Sequence, residues 1–402
     1  MSLFIEKKTY NNDRPRCNRC GLFQHCSSPK LEKHGNGRKE ILIVFDRIDV
    51  DMDDYGTYFY GKRFTALKKI LDEFQIDIIQ DCWTTSVLAC FSSDRPTPKE
   101  IEFCFPKLNS TINKLKPKLI LLIGIDAVHA VVSQDFPNIS AGNREKEKPI
   151  NRWRGLTIPS ERYNTWMVPI YNLEPLTEDE YVYPGYDVLF RNDAGRALSL
   201  LHEPLPLVDY KNRVQVLHTS TEIERVLNRI KRRKPEYLAL DFETNMLNPF
   251  SKDAEVYSAS VCYSEDKAYS FPMLPGIASD FLSLVSDPEI KLIAHNAKME
   301  DKWLRVHYLM NNIPWYWDTM DSAHIIDNRS GITGLKMQAF VNFGIPDYSQ
   351  DVKQYLESPN PNTPNRIREA NPSKILVYGG YDSLITYLLY KQQKKIMERL
   401  HA

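Results

Sequence analysis

No stretch of the chain approaches the roughly 20 consecutive apolar residues of a membrane span, and the N-terminus, MSLFIEKKTYNNDRPR, has no apolar signal core. Neither a spanning helix nor export is expected, and the expected location is the cytoplasm. Net charge is also missing, because 52 Lys and Arg balance 52 Asp and Glu. Any nucleic-acid partner would have to be met by local basic patches rather than by a generally basic surface. Cysteine is sparse, seven in 402 residues, and an odd number without a secretory signal does not resemble a disulfide framework. There is no internal repeat and no low-complexity tract. What is present, 42% apolar and 26% charged residues, fits a soluble globular protein rather than a disordered or fibrous one. The length exceeds one ordinary core and suggests two or three domains.

The first 200 residues alternate strand-like and helix-like segments. ILIVF (41–45), WTTSVLA (83–89) and KLILLIG (118–124) read as strands, and runs from Phe64 to Phe74 and from about Ile101 to Leu115 read as helices. Such alternation predicts an α/β fold, a parallel sheet covered on both faces. The Pro-punctuated HEPLPLVDYKNR (202–213) breaks the pattern, which places a boundary between domains of residues 1–205 and 206–402. In the second half Ser220 or Thr221 is expected to cap a helix, YLALDFE alternates as a strand, and IKLIAHN is a strand leading into the helix KMEDKWLRVHYL. The loop SPNPNTPN (358–365) precedes a last helix from about Ser373 to the end.

Carboxylates stand at telling places in this half. Asp241 and Glu243 lie two apart on one strand, so the pleat points both to one face, a geometry that can hold a divalent ion. Glu300 and Asp301 open a helix after a strand, and Tyr378 and Asp382 share a helical face at i, i+4. Carboxylates gathered from separate segments suit two hard cations, which prefer oxygen ligands and serve phosphodiester hydrolysis.

Together these residues resemble the DEDD exonucleases with a tyrosine in the third motif, and within them the proofreading domain of A-family DNA polymerases. DFETNML matches the first motif, AHNAKMEDKWL the second and YGGYDSLITYLL the third, over residues 213–402. The resemblance implies an RNase H-like α/β domain that shortens single-stranded DNA from its 3′ end with two Mg2+ or Mn2+ ions. It implies that Asp241, Glu243 and Asp382 bind one metal and that Tyr378 orients the attacking water. Thr244 and Leu247 would contact the frayed 3′ end, Leu247 as a wedge, and Asn296 would meet the backbone. One departure is that the second-motif carboxylate, an Asp in the family, is Glu300 here. Glu300 is expected to be the ligand rather than Asp301, because it keeps the spacing from Asn296. Asp318 is expected to support a helix, and His295 to pack beside Asn296, since hard cations prefer oxygen.

Cys17 and Cys20 form a CxxC, and Cys90 and Cys104 bracket FSSDRPTPKEIEF, so two pairs could ligate an iron–sulfur cluster or zinc. Cys26, Cys82 and Cys262 read as scattered buried thiols. CNRCGL, YGKRFTALKKIL, TTSVLACFSSDRPTPKEIEFC, KPKLILLIGIDAV and RWRGLTIP resemble, in that order, the uracil-DNA glycosylases that carry a four-iron cluster. The resemblance implies a glycosylase-like parallel-sheet α/β domain in which Cys17, Cys20, Cys90 and Cys104 hold a 4Fe-4S cluster, with Zn2+ as the alternative. The family's catalytic parts are replaced. VFDRIDVDMDD stands for its Gly-Pro-Gly loop, Ser86 for its uracil-reading asparagine and Asn172 for its histidine. Uracil excision is therefore not expected of this domain.

A glycosylase-like domain ahead of a proofreading domain resembles the front end of certain bacteriophage A-family DNA polymerases. The polymerase itself is then expected as a domain beyond this segment or as a separate chain. The competing expectations are an RNase D-like exoribonuclease and a non-enzymatic DNA-binding or polymerase-assembly module. KRRK (231–234) reads as a solvated face. Trp315, Tyr316 and Trp317 are candidates for stacking on bases, with a core role for at least one of them.

Overall fold

The computed structural model describes residues 15–137, 150–177 and 185–400. The chain divides into two compact units, Met1–Leu207 and Val208–Ala402.

In the first unit, β1 (Ile41–Phe45), β2 (Cys82–Ser86), β3 (Leu119–Ile123), β4 (Ile158–Ser160) and β5 (Thr165–Ile170) form a sheet in the order β2-β1-β3-β5-β4. All pairings are parallel except β4 with β5. Every residue of β1, β3 and β5 is buried, which is why ILIVF and LILLI are continuous apolar runs: strands covered on both faces have no wet side. The strand read as WTTSVLA stops at Ser86, because the Ser86 hydroxyl donates to the Leu88 carbonyl and turns the chain towards Cys90.

In the second unit, β6 (Val214–Val216), β7 (Tyr237–Thr244), β8 (Val256–Cys262), β9 (Ala268–Pro272), β10 (Lys291–Ala294) and β11 (Trp315–Asp318) form a sheet in the order β11-β10-β7-β8-β9-β6. Central β7 pairs antiparallel with β8 and parallel with β10. Leu238, Leu240 and Phe242 pack into one core with the helices Ser220–Arg233 and Ile277–Val285, whereas Ala239 joins Leu384, Ile385 and Leu388 of the helix Pro372–Leu400 in another. Alternation along β7 therefore sends Asp241 and Glu243 towards the C-terminal helix. The mixed sheet between helical layers is the RNase H-like arrangement.

Thr219, rather than Ser220 or Thr221, caps the helix Ser220–Arg233. Its hydroxyl accepts from the Glu222 N–H while the Glu222 carboxylate accepts from the Thr219 N–H. The reciprocal pair needs a Glu three positions on, which excludes Ser220 but not Thr221, with Glu224 at that place; the helix takes the earlier pair, Thr219 with Glu222. Phe281 is fully buried, with its ring 5.7 Å from Phe242 and 6.1 Å from Phe271. Phe281→Ala should cost about 3–5 kcal/mol, read as an earlier urea transition of this unit.

Candidate active site

Asp241, Glu243 and Asp382 each bring a carboxylate oxygen within 4.8 Å of the others. The first two come from the end of β7 and the third from the helix Pro372–Leu400. What lets that helix approach is a glycine pair. A Cβ on Gly379 would lie 3.4 Å from Glu243 Cγ and 3.8 Å from Asp241 Oδ2, and one on Gly380 would lie 2.3 Å from Val214 Cγ1. Ser260 of β8 also donates to the Gly379 carbonyl at 2.7 Å. Burial first, then the charges of Asp382, Glu243 and Glu300, push the Asp241 carboxyl well above the usual range. Burial and Asp382 do the same to Glu243. Asp241 Oδ2 is buried without a hydrogen-bond partner in the chain.

The turn after β10 supplies the fourth acid. Asn296 adopts φ +67°, and Asp318 holds it there by accepting from the Asn296 N–H at 3.0 Å and the Ala297 N–H at 2.8 Å. Asp318 also caps the helix Thr319–Ile326. Glu300 is then buried in the first turn of the helix Lys298–Tyr308, with Oε2 unpartnered, and burial raises its carboxyl to about 8. It faces Asp382 and Asp241 electrostatically but stands outside the three-oxygen cluster. Asp301 turns away, accepting from Arg305 Nε at 2.7 Å and Trp315 Nε1 at 3.0 Å. His295 Nδ1 bonds Thr319 Oγ1 at 2.9 Å, and burial lowers its imidazole to about 4.

Two partners of Asp382 escape the sequence reading. Lys336 Nζ stands 2.5 Å and 2.6 Å from the two carboxylate oxygens, and the Tyr348 hydroxyl donates to Oδ1 at 2.5 Å. Half-buried Tyr378 lies beside Asp382, Glu243 and Asp241, and burial first, then Asp382, pushes its phenol upward. The one signal for Lys336 is a single lysine among the buried residues of LKMQAFVNF.

Thr244 is buried, its hydroxyl donating to the Met246 carbonyl at 2.8 Å, whereas Leu247 is 61% exposed. Asn365 pins this loop by donating to the Thr244 and Asn245 carbonyls. Trp315 and Trp317 are half-buried, Trp317 Nε1 donating to Gln393, while Tyr316 is exposed. Within KRRK, Lys231 meets Ser283, Lys234 meets Glu289 and Arg233 lies over Tyr263.

In the first unit Cys17, Cys20, Cys90 and Cys104 line one cavity of about 320 Å3. Backbone N–H groups of Lys30 and Ala89 point at Cys90 and Cys104 sulfurs, at 3.3 Å and 3.4 Å. Burial pushes the Cys104 thiol up to about 11, and Cys26 stands beside Cys90 with its own thiol raised by burial to about 11. Ser86 is buried and shared between Tyr58 and the Leu88 carbonyl. Asp46 is bound by Arg63, and Asn172 accepts from the Tyr186 hydroxyl.

Residues 32–181 match the profile of the uracil DNA glycosylase superfamily, and residues 214–398 match that of a 3′-5′ exonuclease family, the exonuclease of DNA polymerase A type. The chain thus carries a glycosylase-superfamily domain followed by a 3′-5′ exonuclease domain. No curated protein matches it. Among solved structures it is similar to Brucella melitensis NrnC, at 17% identity over 46% of this chain and 82% of that one, with a TM-score of 0.33. It is similar to Escherichia coli RNase D, an exoribonuclease involved in structured RNA processing, at 13% identity over 46% of each chain, TM-score 0.36. The Trypanosoma brucei RNase D complex with GMP gives 18% identity over 45% of this chain and 57% of that one, TM-score 0.36.

Alanine exceeds glycine in helix propensity by about 1 kcal/mol, yet Gly380→Ala should lower the melting temperature because its Cβ meets Val214. Adding Val214→Ala should recover the loss, and a stabilised single variant would contradict the close approach.

Proposed function

We propose that the second unit is a metal-dependent 3′ to 5′ exodeoxyribonuclease, of the tyrosine-bearing DEDD type, that proofreads for an A-family polymerase of a phage replication system. The observation that carries it is the cluster of Asp241, Glu243 and Asp382 oxygens within 4.8 Å, beside Tyr378. The donor set is all oxygen and includes an orphaned buried atom, which suits Mg2+ or Mn2+. Asp241, Glu243 and Asp382 would hold one ion and Glu300 would help hold a second. Such ions activate water and offset charge on the leaving oxygen. The longer Glu300 side chain is compatible with this role because it reaches inward while Asp301 is tied to Arg305 and Trp315.

Tyr378 orients a water whose oxygen bonds to the terminal phosphorus as the P–O3′ bond breaks. A nucleoside 5′-monophosphate leaves and the shortened strand keeps a 3′-hydroxyl. Leu247, exposed after β7, wedges the terminal bases apart and Thr244 contacts the frayed 3′ end beside it, while Asn296 meets the backbone. DNA is favoured over RNA by the glycosylase-superfamily match of the first unit. That unit serves as a scaffold without excision activity, since Ser86 and Asp46 are engaged internally. Cys17, Cys20, Cys90 and Cys104 hold a 4Fe-4S cluster in it. Among the described residues the sulfurs form no group as tight as the carboxylate cluster, and a zinc ion with Zn–S near 2.3 Å would need them roughly 3.8 Å apart.

With 5′-labelled single-stranded DNA and Mg2+ or Mn2+, the chain should give a ladder shortening from the 3′ end that chelator abolishes. Asp241→Ala and Asp382→Ala should lose it with the fold intact, and Tyr378→Phe should slow it about 10–100-fold. Full activity of either alanine variant overturns the assignment, and faster loss of an RNA strand of the same sequence would move the substrate to RNA. Cys17→Ser or Cys90→Ser should bleach visible absorbance and destabilise the first unit. An unchanged spectrum would remove the cluster.

A further inference from the structure

The carboxylate pocket holds one cation of its own. Lys336 sits in the first turn of the helix Leu335–Phe343, whose Leu335, Met337, Ala339, Phe340 and Phe343 are buried. Its ammonium contacts both oxygens of Asp382 at 2.5 Å and 2.6 Å. It also lies 4.3 Å from the ring centre of Tyr378 and 4.7 Å from that of Tyr348. Among the described residues no other lysine or arginine is paired with Asp241, Glu243, Glu300 or Asp382, and the Lys336 side chain keeps 21% exposure.

These contacts set up a competition. A divalent ion among Asp241, Glu243 and Asp382 needs an Asp382 oxygen, and Lys336 holds both. An ammonium released from Asp382 has the faces of two tyrosines to rest on, one of them Tyr378. We propose that Lys336 is a catalytic residue of the exonuclease: it holds Asp382 in the metal-free site, and when the carboxylates take metal its ammonium binds a non-bridging oxygen of the scissile phosphate. This rests on the exonuclease reading above. As the water oxygen bonds to phosphorus, giving up a proton to solvent, and the P–O3′ bond breaks, Lys336 keeps its own proton and offsets the charge gathering on the phosphate oxygens, and the leaving 3′ oxygen takes a proton from solvent. A lysine suits the task, since its ammonium is a compact charge on a flexible stem.

The test compares full-length wild type, K336M and K336R in three measurements: Mn2+ affinity by calorimetry without DNA, melting temperature in chelator and in Mn2+, and single-turnover hydrolysis of 5′-labelled single-stranded DNA at saturating Mn2+. K336M should bind Mn2+ roughly tenfold more tightly because the competitor is gone. It should melt earlier in chelator and recover in Mn2+, and it should hydrolyse about 100-fold more slowly. K336R should restore the chelator melting temperature and part of the rate, which assigns the loss to charge rather than packing and keeps the test open if K336M does not fold. Unchanged hydrolysis by K336M at saturating Mn2+ overturns the phosphate role, and unchanged Mn2+ affinity overturns the competition. A wild type that binds Mn2+ but hydrolyses no DNA overturns the exonuclease reading instead, a result distinct from an active wild type matched by K336M.

Discussion

Four carboxyl groups drawn into one buried pocket are the constraint on which the second unit depends. Like charges at such separations raise one another's proton affinity, and burial adds to it, as the upward displacement of Asp241, Glu243 and Glu300 shows. A fold that keeps them together must fix each from a separate element and supply compensation within reach. The pleat of β7 fixes Asp241 and Glu243, the Asp318-held turn after β10 fixes Glu300, and the glycine pair lets the C-terminal helix bring Asp382 against them. Lys336 and Tyr348 both spend their polar atoms on Asp382.

The turn at Asn296 shows how the substitution of Glu for Asp in the second motif is accommodated. Asp318 accepts from two successive backbone N–H groups and from the N–H groups of the helix it caps, so one side chain sets both the left-handed turn and the start of its own helix. The helix Lys298–Tyr308 therefore begins in a fixed orientation, with Glu300 on its inner side and Asp301 on its outer side. Adjacent helical positions are about 100° apart and cannot share a face. The extra methylene of glutamate then extends an already inward vector.

Much of this was legible in the sequence because it is local. Period-two alternation in YLALDFE puts the acids on the face opposite Leu240 and Phe242, and the i, i+4 spacing puts Tyr378 and Asp382 on one helical face. What was not legible is what depends on long-range meeting. Lys336 and Tyr348 reach Asp382 across 46 and 34 residues, and nothing in the spacing of LKMQAF announces a partner. Gly379 and Gly380 are visible as letters, but their reason, Val214 and Glu243, appears only when the helix is laid on the sheet. Cys26 reads as one more thiol until it is found beside Cys90. The displaced helix cap is a smaller case: three hydroxyl-bearing residues in a row, HTSTE, offer the same chemistry, two of them with a Glu three positions on, and the helix starts at the earlier pair, Thr219 with Glu222.

The two units differ in how they settle buried acids, and the difference locates the chemistry. In the first unit Asp46 meets Arg63, Asp126 meets Arg95 and Asp193 meets Arg154, while Asp53 accepts from two backbone N–H groups. A buried carboxylate matched to a guanidinium or to N–H donors is a finished interaction, costly to break and with no remaining demand for a cation. In the second unit, among the described residues, Lys336 on Asp382 is the one cation paired with any of Asp241, Glu243, Glu300 and Asp382, and Asp241 Oδ2 and Glu300 Oε2 have no hydrogen-bond partner in the chain. Burying such a set is unfavourable unless further positive charge arrives. The deficit is itself the recruiting force for divalent ions, and a pocket that must stay open to them cannot also be closed by arginines.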